Sequence, residues 1–133
     1  MASELPGIEH IGEPTHKGQR LPFPDAVRVG DLLYLSGAIG VAPDGTLPEG
    51  IEAQTRAAMD HIGRVLGRQG LGFEHIVKCT VMLGDMADWP AFNAVYIRYF
   101  DRQKLPARST FGANGLALGA LVELECLAYA GKG

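Results

Sequence analysis

The sequence has little cysteine and no long apolar run, and each absence excludes a class of protein. Only two of the 133 residues are cysteine, which is too few for the disulfide framework of a small secreted domain. Cys79 and Cys126 lie on the apolar sides of two predicted strands in which apolar and polar residues alternate, and this predicts that both are free, buried thiols. No apolar run approaches the roughly 20 residues that span a bilayer, and the first residues lack the basic start and apolar stretch of a signal peptide. We therefore predict a cytoplasmic protein without membrane contact.

An excess of positive charge is also missing, as is any grouping of metal ligands. Twelve Lys and Arg stand against 15 Asp and Glu, and the net charge of −3 disfavours electrostatic binding to nucleic acid. The four histidines lack metal-ligand spacing, so no metal site is predicted. What the chain does have is 47% hydrophobic and 20% charged residues, typical of a globular protein. A chain of this length is predicted to form one domain over residues 1–133, with 1–20 as an extended lead-in.

The hydrophobic periodicity predicts the element order β-β-α-β-α-β-β. Short alternating runs around Gly30-Asp31 indicate a hairpin, and helical spacing of apolar residues over 51–69 indicates the first helix. A strand follows at 77–83, and then a helix of about 12 residues with the aromatic stripe Trp89, Phe92, Tyr96, Tyr99 and Phe100, expected in the core. Two more strands begin near Ala107 and Leu121. This order predicts an α+β two-layer sandwich with both helices on one face of the sheet.

The last predicted strand has one apolar face and one mixed face. Because strand side chains alternate, Glu123 and Glu125 share a face with leucine and tyrosine, which suggests a subunit interface with a polar cleft. On the preceding strand, Arg108 and Thr110 share a side. If these two strands are neighbours, Arg108 and Glu123 line the same pocket.

Four segments, in this order and spacing, resemble a known family. They are LPFPDAVRVGDLLYLSGAIG at 21–40, IVKCTVMLGDMADWPAFNAVYIRYF at 76–100, PARST at 106–110 and ALVELECLA at 120–128. Together they resemble the YjgF/RidA family of imine deaminases, also labelled L-PSP endoribonucleases. The resemblance implies a chorismate-mutase-like α+β fold and a homotrimer with active sites in the clefts between subunits. It also implies hydrolysis of 2-imino acids, small carboxylate substrates, to 2-keto acids and ammonia, without a cofactor or metal.

The same resemblance implies roles for particular residues. Arg108 matches the substrate-binding arginine, and Glu123 matches the glutamate that handles water. The other positions that match substrate-binding residues are Phe23, Ser36, Gly37, Asn93 and Thr110. Three positions depart from the family pattern, since Phe23 replaces a tyrosine, Thr110 replaces a cysteine, and Ala38 replaces a glutamine.

The chemistry of Arg108 and Glu123 fits these roles, but each has a plainer interpretation. A guanidinium is a planar fork that holds a carboxylate at two points, and a glutamate can accept or return a proton during attack by water. Alternatively, the two side chains form a salt bridge within the chain or between subunits. Burial raises the pKa of a carboxyl and a nearby arginine lowers it, so the direction for Glu123 stays open at this stage.

Three functions remain as hypotheses. The first is hydrolytic deamination of 2-enamine and 2-imine intermediates such as 2-aminoacrylate. The second is a non-catalytic sensor that binds 2-keto acids in the same cleft. The third is an endoribonuclease, which is disfavoured because the chain is acidic and lacks the histidine pair or carboxylate cluster suited to phosphodiester cleavage.

Overall fold

A six-stranded mixed sheet covered by two helices forms the body of the molecule. The computed structural model describes residues 5–131. The strands are β1 (Ile8–Ile11), β2 (Thr15–His16), β3 (Gln19–Arg20), β4 (Ala26–Val29), β5 (Leu32–Leu35), β6 (Ile76–Leu83), β7 (Ala107–Gly112) and β8 (Val122–Tyr129). The helices are α1 (Ile51–Arg68) and α2 (Trp89–Tyr96). The main sheet has the order β1-β4-β5-β8-β6-β7, and β2 pairs with β3 in a separate hairpin. The predicted α+β architecture is confirmed.

The first helix, α1, forms where the apolar spacing predicts it. Its buried stripe is Ala58, Met59, Ile62, Val65 and Leu66. The helix ends at Arg68, and Gly70 adopts the left-handed conformation (φ 74°) that favours glycine after a helix. This stripe lies over one face of the sheet, which we call the helix face. Neither helix within residues 5–131 has both the length and the apolar character that a bilayer crossing demands.

The second helix, α2, is shorter than predicted and leaves one aromatic residue outside the core. The α-helix covers eight residues, and a 3₁₀ turn (Ile97–Tyr99) continues it. Phe92 and Tyr96 are buried as expected, whereas Trp89 is 43% exposed, so its assignment to the core is wrong. Trp89 is the first residue of α2. Because Cα–Cβ bonds tilt toward the N-terminus of a helix, a side chain in the first turn projects past the packed surface.

The other face of the sheet, the open face, carries large apolar side chains that nothing in residues 5–131 covers. Val29, Tyr34, Phe111 and Tyr129 are each more than 40% exposed. Pairing of Tyr34 with Leu127 and of Leu32 with Tyr129 places these side chains on one surface. Glu123 and Glu125 alternate with the buried residues of β8 and therefore share that surface. The open face thus combines apolar area with two carboxylates.

The last two strands of the chain are not neighbours, which corrects the expectation of an Arg108 and Glu123 pocket within one chain. β6 lies between β7 and β8, pairing in parallel with β7 and antiparallel with β8. A parallel pair needs a crossover, and α2 supplies it between β6 and β7. In this register Arg108 lies beside Cys79 on the helix face, whereas Glu123 lies beside Met82 on the open face.

Candidate active site

Arg108 is held by aromatic rings rather than by an acidic partner. Its guanidinium carbon lies 4.8 Å from the ring centre of Tyr96 and 5.5 Å from that of Phe92, both on α2. Such cation–π contacts fix the orientation of a guanidinium without using its N–H donors. None of the salt bridges within residues 5–131 involves Arg108. The salt-bridge interpretation within one chain is therefore wrong, and the guanidinium is available to an anion.

Arg108 also lines a cavity on the helix side of the molecule. The cavity has a volume of about 330 Å³ and is lined by Asn93, Tyr96, Ile97, Leu105, Pro106 and Arg108. Its walls are mostly apolar, and Arg108 is the cationic side chain among the described residues that line it. A small carboxylate entering this space would meet a guanidinium in a desolvated setting, where a charged hydrogen bond is strong.

Three buried polar atoms around Arg108 make no hydrogen bond to any described residue. They are Asn93 Oδ1, the Tyr96 hydroxyl and Thr110 Oγ1. Leaving a buried polar atom unpaired costs about 1–3 kcal/mol. Asn93 and Tyr96 lie three residues apart on one face of α2, and Thr110 follows Arg108 on the same side of β7. The structure thus places Asn93 and Arg108 on one cavity wall, with Thr110 two residues after Arg108 on β7, and the buried polar atoms of Asn93 and Thr110 lack a partner among the described residues.

A second group of predicted residues surrounds Glu123. Ala38 and Leu124 exchange backbone hydrogen bonds of 2.8 and 3.1 Å, which holds the segment after β5 against β8. The Glu123 carboxylate consequently occupies the space where a Cβ on Gly37 would lie. The Ser36 hydroxyl donates a hydrogen bond to the Pro24 carbonyl at 2.7 Å, so within one chain its proton is already engaged with the backbone.

Phe23 lies outside the contact between Gly37 and Glu123. Its ring is 43% exposed, and it directly precedes Pro24, whose carbonyl accepts the Ser36 hydrogen bond. It lines a cavity of about 850 Å³ together with residues of the N-terminal strands. The charged residues there include Glu13 and Arg20, which form a highly exposed ion pair at 3.3 Å. Because that pair leaves no desolvated charge for a ligand, we do not assign the chemistry to this cavity.

The pKa of Glu123 is raised above its ordinary value. Burial is the larger cause, and repulsion from Glu125 on the same face adds to it. Arg108 does not offset the shift, since it lies on the other face of the sheet. Within one chain the pKa of Glu123 is therefore raised, which answers whether burial or Arg108 sets its direction. A carboxyl with a raised pKa exchanges its proton closer to neutral pH, which suits it to acid and base catalysis.

Apart from Phe23, the predicted site residues fall into two groups in one chain, which we call half-sites. The first holds Arg108, Asn93 and Thr110, and the second holds Glu123 and Gly37 beside Ser36. Two strand spacings, roughly 10 Å, and the sheet itself separate the two groups. Tyr96, which sequence reasoning placed only in the core, belongs to the first half-site. Its spacing of three residues from Asn93 on a helix is the signal that identifies it.

Gly37→Ala is expected to impair the second half-site while leaving the fold intact. The new Cβ would collide with the end of a flexible side chain, so Glu123 would rotate away and the backbone would stay. We expect activity toward the substrate proposed below to fall about tenfold, with an unchanged unfolding midpoint in urea. Gly67→Ala on α1 is the matched control, because a Cβ there meets nothing within 4 Å. Full activity in Gly37→Ala would contradict a role for the Glu123 position.

Comparison with known proteins relates this geometry to a family. Residues 17–130 match the family model described as Endoribonuclease L-PSP. The chain is 36% identical over 109 residues to Reactive Intermediate Deaminase A, chloroplastic, of Arabidopsis thaliana, covering 80% of this chain and 58% of that protein. It is 35% identical over 112 residues to the 2-iminobutanoate/2-iminopropanoate deaminase of Mus musculus, covering 83% of this chain and 82% of that protein.

Solved structures agree with the sequence comparison. The Rid family protein YyfA of Yersinia pestis superposes with a TM-score of 0.82 at 35% identity, covering 92% of this chain and 98% of that one. The YjgF gene product of E. coli gives a TM-score of 0.80 at 30% identity, covering 91% and 98%. The match over 17–130 and these shared folds show that the chain belongs to the endoribonuclease L-PSP family, which includes the YjgF and Rid proteins.

Proposed function

We propose that this protein hydrolyses small 2-imino acids and their enamine tautomers, such as 2-aminoacrylate, to 2-keto acids and ammonia. The observation that carries this function is Arg108, an unpaired guanidinium stacked on two rings at the wall of a 330 Å³ cavity. A 2-imino acid supplies the carboxylate that such a guanidinium binds at two points. The name of the mouse relative, 2-iminobutanoate/2-iminopropanoate deaminase, supports the same substrate class.

The chemistry asks for positioning and proton transfer. Arg108 would hold the carboxylate, and the unpaired Asn93 and Thr110 atoms would offer neutral hydrogen bonds to the rest of the substrate. Water would attack C2 of the iminium while Glu123 takes its proton. Glu123 would then return that proton to the nitrogen of the carbinolamine. As the C–N bond breaks and ammonia leaves, the hydroxyl proton would pass to Glu123 or to water, and the C2=O bond of the 2-keto acid would form. No metal, cofactor, nucleic acid or membrane enters this reaction, and the cytoplasmic location predicted from the sequence suits it.

We further propose that a second copy of the chain completes the site in a homotrimer. Arg108 and Glu123 face opposite sides of the sheet in one chain, so one substrate would meet Arg108 of one chain and Glu123 of the partner subunit. The apolar side chains of the open face support this assembly, because burying them stabilises association.

We expect light scattering at micromolar concentration to give three times the 14.2 kDa chain mass. A clean monomer would contradict both the trimer and the shared site.

A coupled assay tests the reaction directly. A serine or cysteine lyase generates 2-aminoacrylate, and pyruvate formation is followed with this protein, without it and after its heat inactivation. We expect faster pyruvate formation only with the native protein. Binding of 2-oxobutyrate without any acceleration would instead favour the non-catalytic sensor. Neither binding nor acceleration would refute the proposed substrate class.

A further inference from the structure

The two cysteines of the chain lie in direct contact beneath the Arg108 half-site. Cys79 on β6 is paired in register with Cys126 on β8, and their sulfur atoms are 2.8 Å apart. Both are free thiols, with exposed fractions of 0% and 5%. The catalytic chemistry proposed above uses neither of them.

The placement of these cysteines meets the geometric demands of a disulfide. Directly opposite residues of antiparallel strands have Cα atoms about 4.5–5.5 Å apart, and disulfides span Cα separations of about 4.4–6.8 Å. An S–S bond is about 2.05 Å long, so the sulfur atoms need to approach by less than 1 Å. Side-chain rotation suffices for that movement, and the strands can stay in place.

The pair is also connected to the substrate pocket. Cys79 lies beside Arg108 across the β6–β7 register. The pKa of the Cys79 thiol is lowered chiefly by its contact with Cys126 and further by the nearby Tyr96 hydroxyl. The ring of the same tyrosine lies under the guanidinium. Tyr96 therefore lies near both Cys79 and Arg108, so a movement of the Cys79 side chain can change the position of the ring beneath the guanidinium.

We propose that Cys79 and Cys126 are an oxidisable pair that forms a reversible disulfide and thereby weakens carboxylate binding at Arg108. With a peroxide as oxidant, the Cys79 sulfur attacks one peroxide oxygen, the O–O bond breaks, and a sulfenic acid and one water form. The Cys126 sulfur then attacks the sulfenic sulfur, and the hydroxyl leaves with the proton as a second water. The thiols lose two electrons and two protons in total, and the peroxide gains them.

The order of these steps follows from the different surroundings of the two thiols. The hydrogen-bonding contact between the two thiols is the main cause that lowers the pKa of Cys79, and the same contact, with burial, raises the pKa of Cys126. The thiolate is the nucleophile in thiol oxidation, so Cys79 reacts first. Access is through β7, which is the edge strand of the sheet and covers Cys79 from one side. Local opening of an edge strand admits a small oxidant.

Mass spectrometry of the full-length protein tests the disulfide without reference to any activity. After hydrogen peroxide treatment, unfolding and alkylation, we expect a chain lighter by two hydrogen atoms that carries no alkyl group. Trypsin should then yield peptide 79–98 linked to peptide 109–132, and dithiothreitol should restore two alkylatable thiols. Cys126→Ala is the matched control, which cannot form the bond. Two alkylated thiols, sulfinic acids or disulfides between chains in the wild type would each overturn the proposal.

Two measurements on the oxidised and reduced protein test the connection to the pocket. The Arg108 guanidinium lies over the rings of Tyr96 and Phe92. We therefore expect the NMR resonance of its Nε–H to shift on oxidation, while the Nε–H resonance of exposed Arg64 stays unchanged. Calorimetry with 2-oxobutyrate is expected to show affinity reduced about fivefold or more in the oxidised form. This binding measurement rests on the proposed function, whereas the mass and resonance measurements do not. A disulfide that leaves both the resonance and the affinity unchanged would overturn the connection.

Discussion

Arg108→Lys is expected to slow imine hydrolysis at least about tenfold, which corresponds to about 1.4 kcal/mol of transition-state stabilisation. Lysine keeps the positive charge but loses the planar fork that binds a carboxylate at two points. It also loses the flat surface that stacks on Tyr96 and Phe92, so the remaining charge is less well oriented. Arg108→Ala is expected to leave little activity above the uncatalysed rate. The measurement is kcat/KM in the coupled pyruvate assay.

Folding and assembly provide the control for this prediction. Arg108 has no ion pair within the described chain, so both variants are expected to keep the wild-type oligomeric mass. Arg64→Lys on the exposed side of α1 repeats the same chemical change away from the cavity and should retain full activity. A folded, correctly assembled Arg108→Ala protein with wild-type kcat/KM would remove Arg108 from the mechanism. A crystal soaked with 2-oxobutyrate shows directly whether the carboxylate meets the guanidinium.

Glu123→Gln is expected to lower kcat about 100-fold, within the range of positioned acid and base groups. The amide keeps the size of the side chain but cannot take a proton from water. The folded pKa of Glu123 is raised, so the wild-type rate should fall as the pH drops through that raised value and the carboxylate becomes protonated. Glu123→Gln should lack this acidic limb. The measurement is the dependence of kcat on pH for both proteins.

Glu125→Gln is the matched variant, because repulsion from Glu125 is the second cause of the raised pKa. Removing that charge should move the acidic limb to lower pH and leave kcat at its plateau unchanged.

The pH dependence of folding stability gives an independent test of the direction of the Glu123 pKa shift. A raised folded pKa means that the folded state binds the proton more tightly, so Glu123 disfavours folding at neutral pH and the effect disappears in acid. Glu123→Gln should therefore be no less stable than the wild type at neutral pH. An unaltered pH profile in both variants would exclude Glu123 as the proton acceptor.

The sequence by itself predicts α1, the main strands and the candidate site residues. The apolar spacing of α1 and the alternation along β8 are local, so the buried and exposed sides could be predicted residue by residue. The alternation also separated the apolar face of β8 from the face that carries Glu123 and Glu125. The four segments that resemble the family identify Arg108 and Glu123 as candidate site residues from the sequence alone.

Only the tertiary structure decided how these residues are combined. Strand order depends on contacts between distant parts of the chain, and the α2 crossover places β6 between β7 and β8. That single arrangement puts Arg108 and Glu123 on opposite faces, and it also sets Cys79 against Cys126. The direction of the Glu123 pKa shift likewise depends on which charges lie on its own face. Periodicity fixes the side of a strand on which a residue lies, but pairing fixes its neighbours, and pairing is a property of the whole fold.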